Sequence, residues 1–260
     1  MKRSEIDRYL KLAKEIIKKA GLMILEEKKR GFRVIRKDSK EMVTNLDLLI
    51  QEYLKDELKK ELGEVLVFSE EQKDQAVNQD SYWSIDPIDG THNFIAGLYS
   101  YGISIAYIDN NELQLGVIYL PESDDLYFAS KGLGSFYNKQ KIVCSDIDSL
   151  DKSIIGYDNQ FYLSEDSEEI FLQLLKETFT MRIRGCSVMY ATSVANGHLS
   201  SRIYNATKLC DVAAGIIIVQ ESGGKVTNFK GEEIILNQVS DLILSGNNIH
   251  NKLVELLSRY

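Results

Sequence analysis

The sequence predicts a mixed α/β protein in two halves. Residues 1–144 read as α+β, built on an antiparallel meander, and residues 145–260 read as α/β. Three observations carry this. Two N-terminal stretches repeat apolar residues at helical spacing. Over 101–137, short apolar runs alternate with turn residues. After about Val143, strand-like and helix-like segments alternate.

From Ser4, the residues Ile6, Tyr9, Leu10, Ala13, Ile16, Ile17, Ala20 and Ile24 share one helical face, and Ser4 with Asp7 has the spacing of an N-terminal cap. A second helix is expected over 45–62, with Leu46, Leu49, Ile50, Tyr53, Leu54 and Leu58 inward and Gly63 as its stop. Residues 65–68 and 82–85 read as strands that deliver acids at their ends, Glu70 and Glu71 after the first and Asp86 after the second. A helix start is expected just after Gly90. Strands follow over 101–108, 113–120 and 126–129, with a turn at Asp109-Asn110-Asn111 and another at Gly132 to Gly134 before Ser135-Phe136-Tyr137. In the second half, strands are expected at 154–157, 181–184, 203–204, 225–227 and 242–245. Helices are expected at 168–179, from Ser187 to Asn196, at 211–222 and from about Asn248.

With 260 residues, 44% hydrophobic and 27% charged, the chain can bury a sizeable core. Its net charge of −8 argues against a general nucleic-acid surface, and an anionic substrate would need local cations. Cys144, Cys186 and Cys210 form no C-x-x-C, and the histidines lie far apart, which argues against a disulfide framework or structural zinc. A cytoplasmic setting is expected. No stretch approaches the ~18 apolar residues of a membrane span, so no membrane partner is expected.

Four acidic positions stand out: Glu70, Asp86, Asp89 and Asp211. Each has a plain local reading. Glu70 and Glu71 suit a solvated loop edge, Asp86-Pro87-Ile88-Asp89-Gly90 suits a turn, and Asp211 suits a helix N-cap. Asp47, in a first helical turn, suits dipole compensation. The other reading takes the acids together. Carboxylates that converge repel one another unless a cation sits among them. An all-oxygen ligand set selects magnesium, manganese or calcium, and magnesium suits a phosphorylated substrate whose oxygens complete its shell. An EF-hand is excluded, because Ile88 stands where its third ligand would be. No P-loop or nucleotide fingerprint is present.

Four motifs in order resemble the inositol monophosphatase family of magnesium-dependent, lithium-sensitive phosphatases. They are Val43-Thr44-Asn45-Leu46-Asp47, Ser69-Glu70-Glu71, the run from Asp86 to Phe94, and the run from Asp211 through Gly215 to Glu221-Ser222-Gly223-Gly224. The resemblance covers nearly the whole chain. It implies a five-layer α-β-α-β-α sandwich, with most metal ligands in residues 1–144 and with Asp211 and the specificity elements in 145–260. It implies two or three magnesium ions, for which manganese can substitute. Glu70, Asp86 and the Ile88 carbonyl would hold the first, and Asp86, Asp89 and Asp211 the second, with Glu70 shared by a weaker third. Thr91, backed by Asp47, would position and deprotonate the attacking water. Gly90 and Thr91 N–H groups would receive the phosphate, and Gly185, Cys186 and Ser187 would meet the substrate alcohol. The partners implied are a small phosphorylated metabolite and a second copy of the chain.

The chain departs from the family pattern at three positions, of which Tyr204 weighs more than Ser69. Cys210 stands where the family usually has tryptophan, and Ser69 where it has glycine. Tyr204 stands where inositol-specific members commonly carry a glutamate, and tyrosine lacks a carboxylate's paired acceptors. Inositol 1-phosphate-like monoesters, a sugar bisphosphate, and NADP or 3′-phosphoadenosine phosphates therefore all remain expected substrate classes, beside a regulatory role with weak catalysis. Arg36, Lys37 and Arg184 are candidate local cations, and His92 is expected to pack or to support the site from behind.

Overall fold

The computed structural model describes residues 2–36, 41–69, 80–158 and 160–260. The chain opens with α1 (Arg3–Arg30), a hairpin of β1 (Val34–Arg36) and β2 (Met42–Thr44), and α2 (Asn45–Leu62). Next come β3 (Val67–Ser69), β4 (Ser81–Asp89) and the short α3 (Thr91–Ile95). The meander is β5 (Gly102–Asp109), β6 (Glu112–Leu120), β7 (Asp125–Ser130), β8 (Gly134–Tyr137) and β9 (Gln140–Ile142). The remainder is β10 (Ile154–Tyr157), α4 (Ser167–Glu177), β11 (Thr180–Ile183), α5 (Ser187–Ala195), β12 (Ser201–Tyr204), α6 (Leu209–Glu221), β13 (Lys225–Thr227), β14 (Leu242–Ser245) and α7 (His250–Leu257).

These elements stack in five layers. The α1/α2 pair covers one face of a seven-stranded sheet, β3-β4-β5-β6-β7-β8-β9. α5 and α6 fill the space between that sheet and a five-stranded sheet, β11-β10-β12-β14-β13, whose far face is covered by α4 and α7. The first sheet is antiparallel except at its β3/β4 edge. The second is mixed, with β10 parallel to β11 and β12, and β14 antiparallel to its neighbours.

Alternation in the strands explains the stacking. In β5, Ile103, Ile105 and Tyr107 join the core under α1 and α2, while Ala106 and Ile108 join the core around α5 and α6. Both faces are buried, so the strands read as continuous apolar runs. α6 is buried all round, with every residue from Val212 to Val219 inaccessible to solvent, as a helix between two sheets must be. Two glycines let it lie flat. A Cβ on Gly116 would fall 2.6 Å from Ile217 Cγ2 and 2.8 Å from the Ala214 carbonyl, and one on Gly215 would fall 2.5 Å from Ala191 Cβ on α5. The turn between β5 and β6 places Asn110 and Asn111 at φ 52° and 58°, the left-handed pair of a two-residue hairpin.

Several local expectations change. α1 begins at Arg3 behind Lys2 with no side-chain cap, so Ser4 and Asp7 lie within the helix. Asp7 instead pairs with Arg3 at 3.1 Å. Leu49 is exposed, and Gln51 takes the inward place. The β1/β2 hairpin was not anticipated, because Val34 and Ile35 are exposed and lie between arginines.

His250 is 2% exposed, with Nε2 3.0 Å from Thr227 Oγ1 and Nδ1 2.7 Å from Ser245 Oγ. Burial, and secondarily the charge of Lys225, lowers its pKa from 6.5 to about 4. The unfolded chain then takes a proton that the folded chain refuses. Its contribution is complete above pH 6.5 and declines as pH falls toward 4, by on the order of 3 kcal/mol. Urea unfolding should show wild type losing more stability between pH 7 and 4.5 than His250→Gln does. Equal losses would remove His250 from the pH response.

Candidate active site

The acidic segment is neither a free turn nor the residue after a strand. β4 continues through it to Asp89. Asp86 lies opposite Ser104 and Asp89 opposite Gly102, so β4 carries one extra residue against β5. Ile88 N–H donates to Asp86 Oδ1 at 3.1 Å, and Pro87 sits in the bulge, where a missing ladder donor costs little. The turn chemistry seen in the sequence is thus a bulge inside a buried strand. It leaves Asp86 1% and Asp89 9% exposed.

Gly90 follows at φ 85°, a left-handed conformation, and a Cβ there would lie 2.8 Å from the Ser100 carbonyl. Thr91 then opens α3, so its first N–H groups have no partner within the helix. The Thr91 hydroxyl is 2.9 Å from the Ile88 carbonyl and 3.3 Å from Asp47 Oδ1, which makes the carbonyl the nearer acceptor.

Asp47 is held from the other side. Thr44 Oγ1 accepts from Leu46 and Asp47 N–H, while Asp47 Oδ2 accepts from Thr44 N–H at 2.7 Å and from its hydroxyl at 2.6 Å. This reciprocal capping box fixes the buried carboxylate at the start of α2. The capping role and the contact with Thr91 belong to its two different oxygens, Oδ2 and Oδ1.

The second half meets β4 through α5. Asp89 Oδ2 accepts from Val188 N–H at 2.6 Å, at the positive end of α5, and from the Cys186 thiol at 3.1 Å. Burial, reinforced by Asp89, pushes the Cys186 thiol pKa well up. Cys186 therefore faces Asp89, whereas the sequence placed it against the substrate. The Tyr204 hydroxyl donates to the Ser187 carbonyl at 3.1 Å, and burial raises its pKa. Asp211 is the third residue of α6 rather than its cap; Lys208 holds the cap position, and the Cys210 thiol is 3.3 Å from Asp211 Oδ1.

A cleft of about 750 Å³ is lined by Asp86, Ile88, Asp89, Gly90, Thr91, Gly185, Cys186, Ser187, Tyr204 and Asp211. Asp47 stands behind Thr91. Glu70 and Lys37 fall outside the described residues. Arg36 reaches the cleft. Arg184 turns to Ser193 Oγ at 2.9 Å, and His92 is exposed rather than packed. Ser69 has a defined place, donating to Gln51 Oε1 at 2.6 Å.

Asn93 is the residue the sequence reading missed. Its side-chain N–H₂ lies 2.8 Å from the Ser100 carbonyl, 2.7 Å from that of Arg184 and 3.1 Å from that of Gly185. It ties the β4 segment to the turn before α5. The signal was present, since Asn93 lies within the motif that ends at Phe94.

The donors along the cleft suit a hard divalent cation, being carboxylates and a carbonyl without sulfur or imidazole among the proposed ligands. Among the described residues, no three His, Cys, Asp or Glu side chains gather closely enough to hold a metal. Asp89 in particular is turned to α5.

A layered α/β fold with an acidic cleft between its sheets is the frame of a phosphatase family, and the comparisons identify it. The inositol monophosphatase family matches residues 5–260, and the chain belongs to that family. It is 34% identical over 233 residues to a fructose-1,6-bisphosphatase/inositol-1-monophosphatase of Thermotoga maritima, covering 89% of this chain and 86% of the relative. It is 32% identical to an inositol monophosphatase of Dictyostelium discoideum, covering 99% and 97%. The solved structure of a Thermotoga maritima IMPase superposes with a TM-score of 0.87 at 30% identity, covering 98% of this chain and 97% of that one.

Replacing Asn93 by alanine removes one amide from three carbonyls. Urea unfolding should show a loss of about 1–3 kcal/mol. Asn93→Asp, which keeps the volume but not the donors, should lose at least as much. Wild-type stability in both variants would show the tie to be incidental.

Proposed function

We propose that this inositol monophosphatase family phosphatase hydrolyses small phosphate monoesters with magnesium. The observation that carries the reading is the convergence on one cleft of Asp86, Asp89 and Asp211 with Thr91, itself backed by the capped Asp47. Asp86, Asp89, Asp211, the Ile88 carbonyl and Glu70 would hold the ions, with manganese an acceptable substitute. Magnesium, when bound, supplies the positive charge that phosphate-ester cleavage requires.

The chain's own groups do the positioning. The Gly90 and Thr91 N–H groups at the start of α3 receive phosphate oxygens. The Thr91 hydroxyl, held between Asp47 and the Ile88 carbonyl, orients the attacking water and passes its proton toward Asp47. Gly185 and Ser187 border the alcohol, which approaches from the second half. The three cysteines are free thiols, in keeping with a reducing cytoplasm. A homodimer is part of the same reading.

A second substrate class is favoured by one finding. The Thermotoga maritima relative carries fructose-1,6-bisphosphatase in its name, so a sugar bisphosphate belongs in any substrate panel.

Phosphate release from p-nitrophenyl phosphate and inositol 1-phosphate should require magnesium and stop with EDTA. Asp89→Asn should lose at least ~10²-fold in kcat while keeping the wild-type circular dichroism spectrum. Full activity in that variant would remove Asp89 from the reaction. Glu70→Gln should raise the magnesium concentration needed for half-maximal rate about 10-fold or more. An unchanged magnesium requirement would take Glu70 out of the ligand set.

A further inference from the structure

Besides the β4 acids, the cleft contains a polar pair, carried by β10 and β12, that the proposed reaction does not use. Asp158, just past β10, and Arg202, on β12, both line the cleft. Arg202 Nη2 and Asp158 Oδ2 lie 3.0 Å apart. The guanidinium carbon lies over two rings, 4.1 Å from the Tyr190 centroid and 4.3 Å from that of Tyr204. Gly156, paired with Arg202 across the strands, makes room for this arrangement. A Cβ there would fall 2.6 Å from the Tyr190 ring and 3.3 Å from Arg202 Cδ.

The two charges differ in what they offer a ligand. The Arg202 side chain is 3% exposed, and its Nε and Nη1 are buried without hydrogen-bond partners. Two rings and near-complete burial hold it, so it is a captive counter-charge beside the aspartate. The Asp158 side chain is 20% exposed, and among the described residues its Oδ1 has no donor. This part of the cleft therefore presents an acceptor to an incoming molecule and withholds its cation.

Position supports the same conclusion. β10 and β12 are parallel, with Gly156 opposite Arg202, so continuing the register brings Asp158 level with Tyr204. Tyr204 lines the same cleft, with its hydroxyl on the Ser187 carbonyl at 3.1 Å. A phosphate bound near Thr91 would direct its alcohol past Tyr204 toward Asp158. Hydroxyl groups can donate to a carboxylate, whereas a second phosphate would be repelled by it.

We propose that Asp158, held by Arg202, is the specificity-determining acceptor for the alcohol part of the substrate. It takes hydrogen bonds from the hydroxyls of a polyol or sugar monophosphate and disfavours molecules with a second anionic group there. The proposal rests on the phosphatase reading above and narrows its substrate class.

The test compares wild type and Asp158→Asn on inositol 1-phosphate, fructose 1,6-bisphosphate and p-nitrophenyl phosphate. The last has no hydroxyls to read. The variant should raise KM for inositol 1-phosphate about 10-fold, equivalent to about 1.4 kcal/mol, with kcat within about threefold. Its kinetics on p-nitrophenyl phosphate should stay within about twofold, and its KM for the bisphosphate should fall. The double variant Asp158→Asn, Arg202→Gln removes both charges together and should repeat the pattern if the single variant melts early. An equal loss on all three substrates, or no change in either KM, overturns the proposal while the phosphatase reading stands. Wild-type protein inert on all three with magnesium present overturns both.

Discussion

The site depends on one packing constraint, the placement of a buried, largely apolar helix flat between two sheets. α6 touches the seven-stranded sheet through Gly116 and α5 through Gly215, with no spare distance at either contact. That fixes the height of its first turn, and with it Asp211, against the bulged end of β4. A side chain at either glycine would lift α6 and carry Asp211 away from Asp86 and Asp89. The helix contributes one polar group to the cleft from its start, and Val212 to Val219 are committed to the core.

The second constraint is electrostatic. A fold gains nothing from burying Asp86 and Asp89 beside each other, because each carboxylate loses hydration and repels the other. The structure offsets part of that cost locally. Asp86 accepts a backbone N–H across its own bulge, and Asp89 takes the N–H and thiol at the start of α5. Asp47 is likewise held by the backbone and hydroxyl of Thr44. Backbone donors and a helix terminus position these acids, so the surrounding apolar core needs no basic side chain among them.

Much of this was legible in the sequence, for reasons that particular residues make clear. α2 is legible at Asn45 to Leu62 because Gly63 ends an amphipathic run, and the structure adds Thr44 as its cap. The layered fold and the family are borne out. The β1/β2 hairpin escaped because its apolar residues face solvent, which removes the burial signal that marks a strand. The continuation of β4 through Asp86-Pro87-Ile88-Asp89 escaped because a bulge uses the same residues as a turn. The direction of the Cys186 thiol and the Tyr204 hydroxyl, both inward toward protein groups, is set by contacts 97 and 17 residues away in sequence, respectively, which no local pattern encodes. Asp158 and Arg202 lie in no motif, and only the parallel pairing of β10 with β12 brings them together.

The tie made by Asn93 separates two kinds of change that this chain can accept. The amide reads only main-chain oxygens, those of Ser100, Arg184 and Gly185, and is indifferent to the side chains attached to them. The turn before α5 can therefore exchange side chains without losing its position relative to the acidic strand. Drift in sequence there is decoupled from drift in geometry. A catalytic frame of this kind can be carried intact through many changes of substrate, with the bordering turn acting as an interchangeable rim on a fixed mounting.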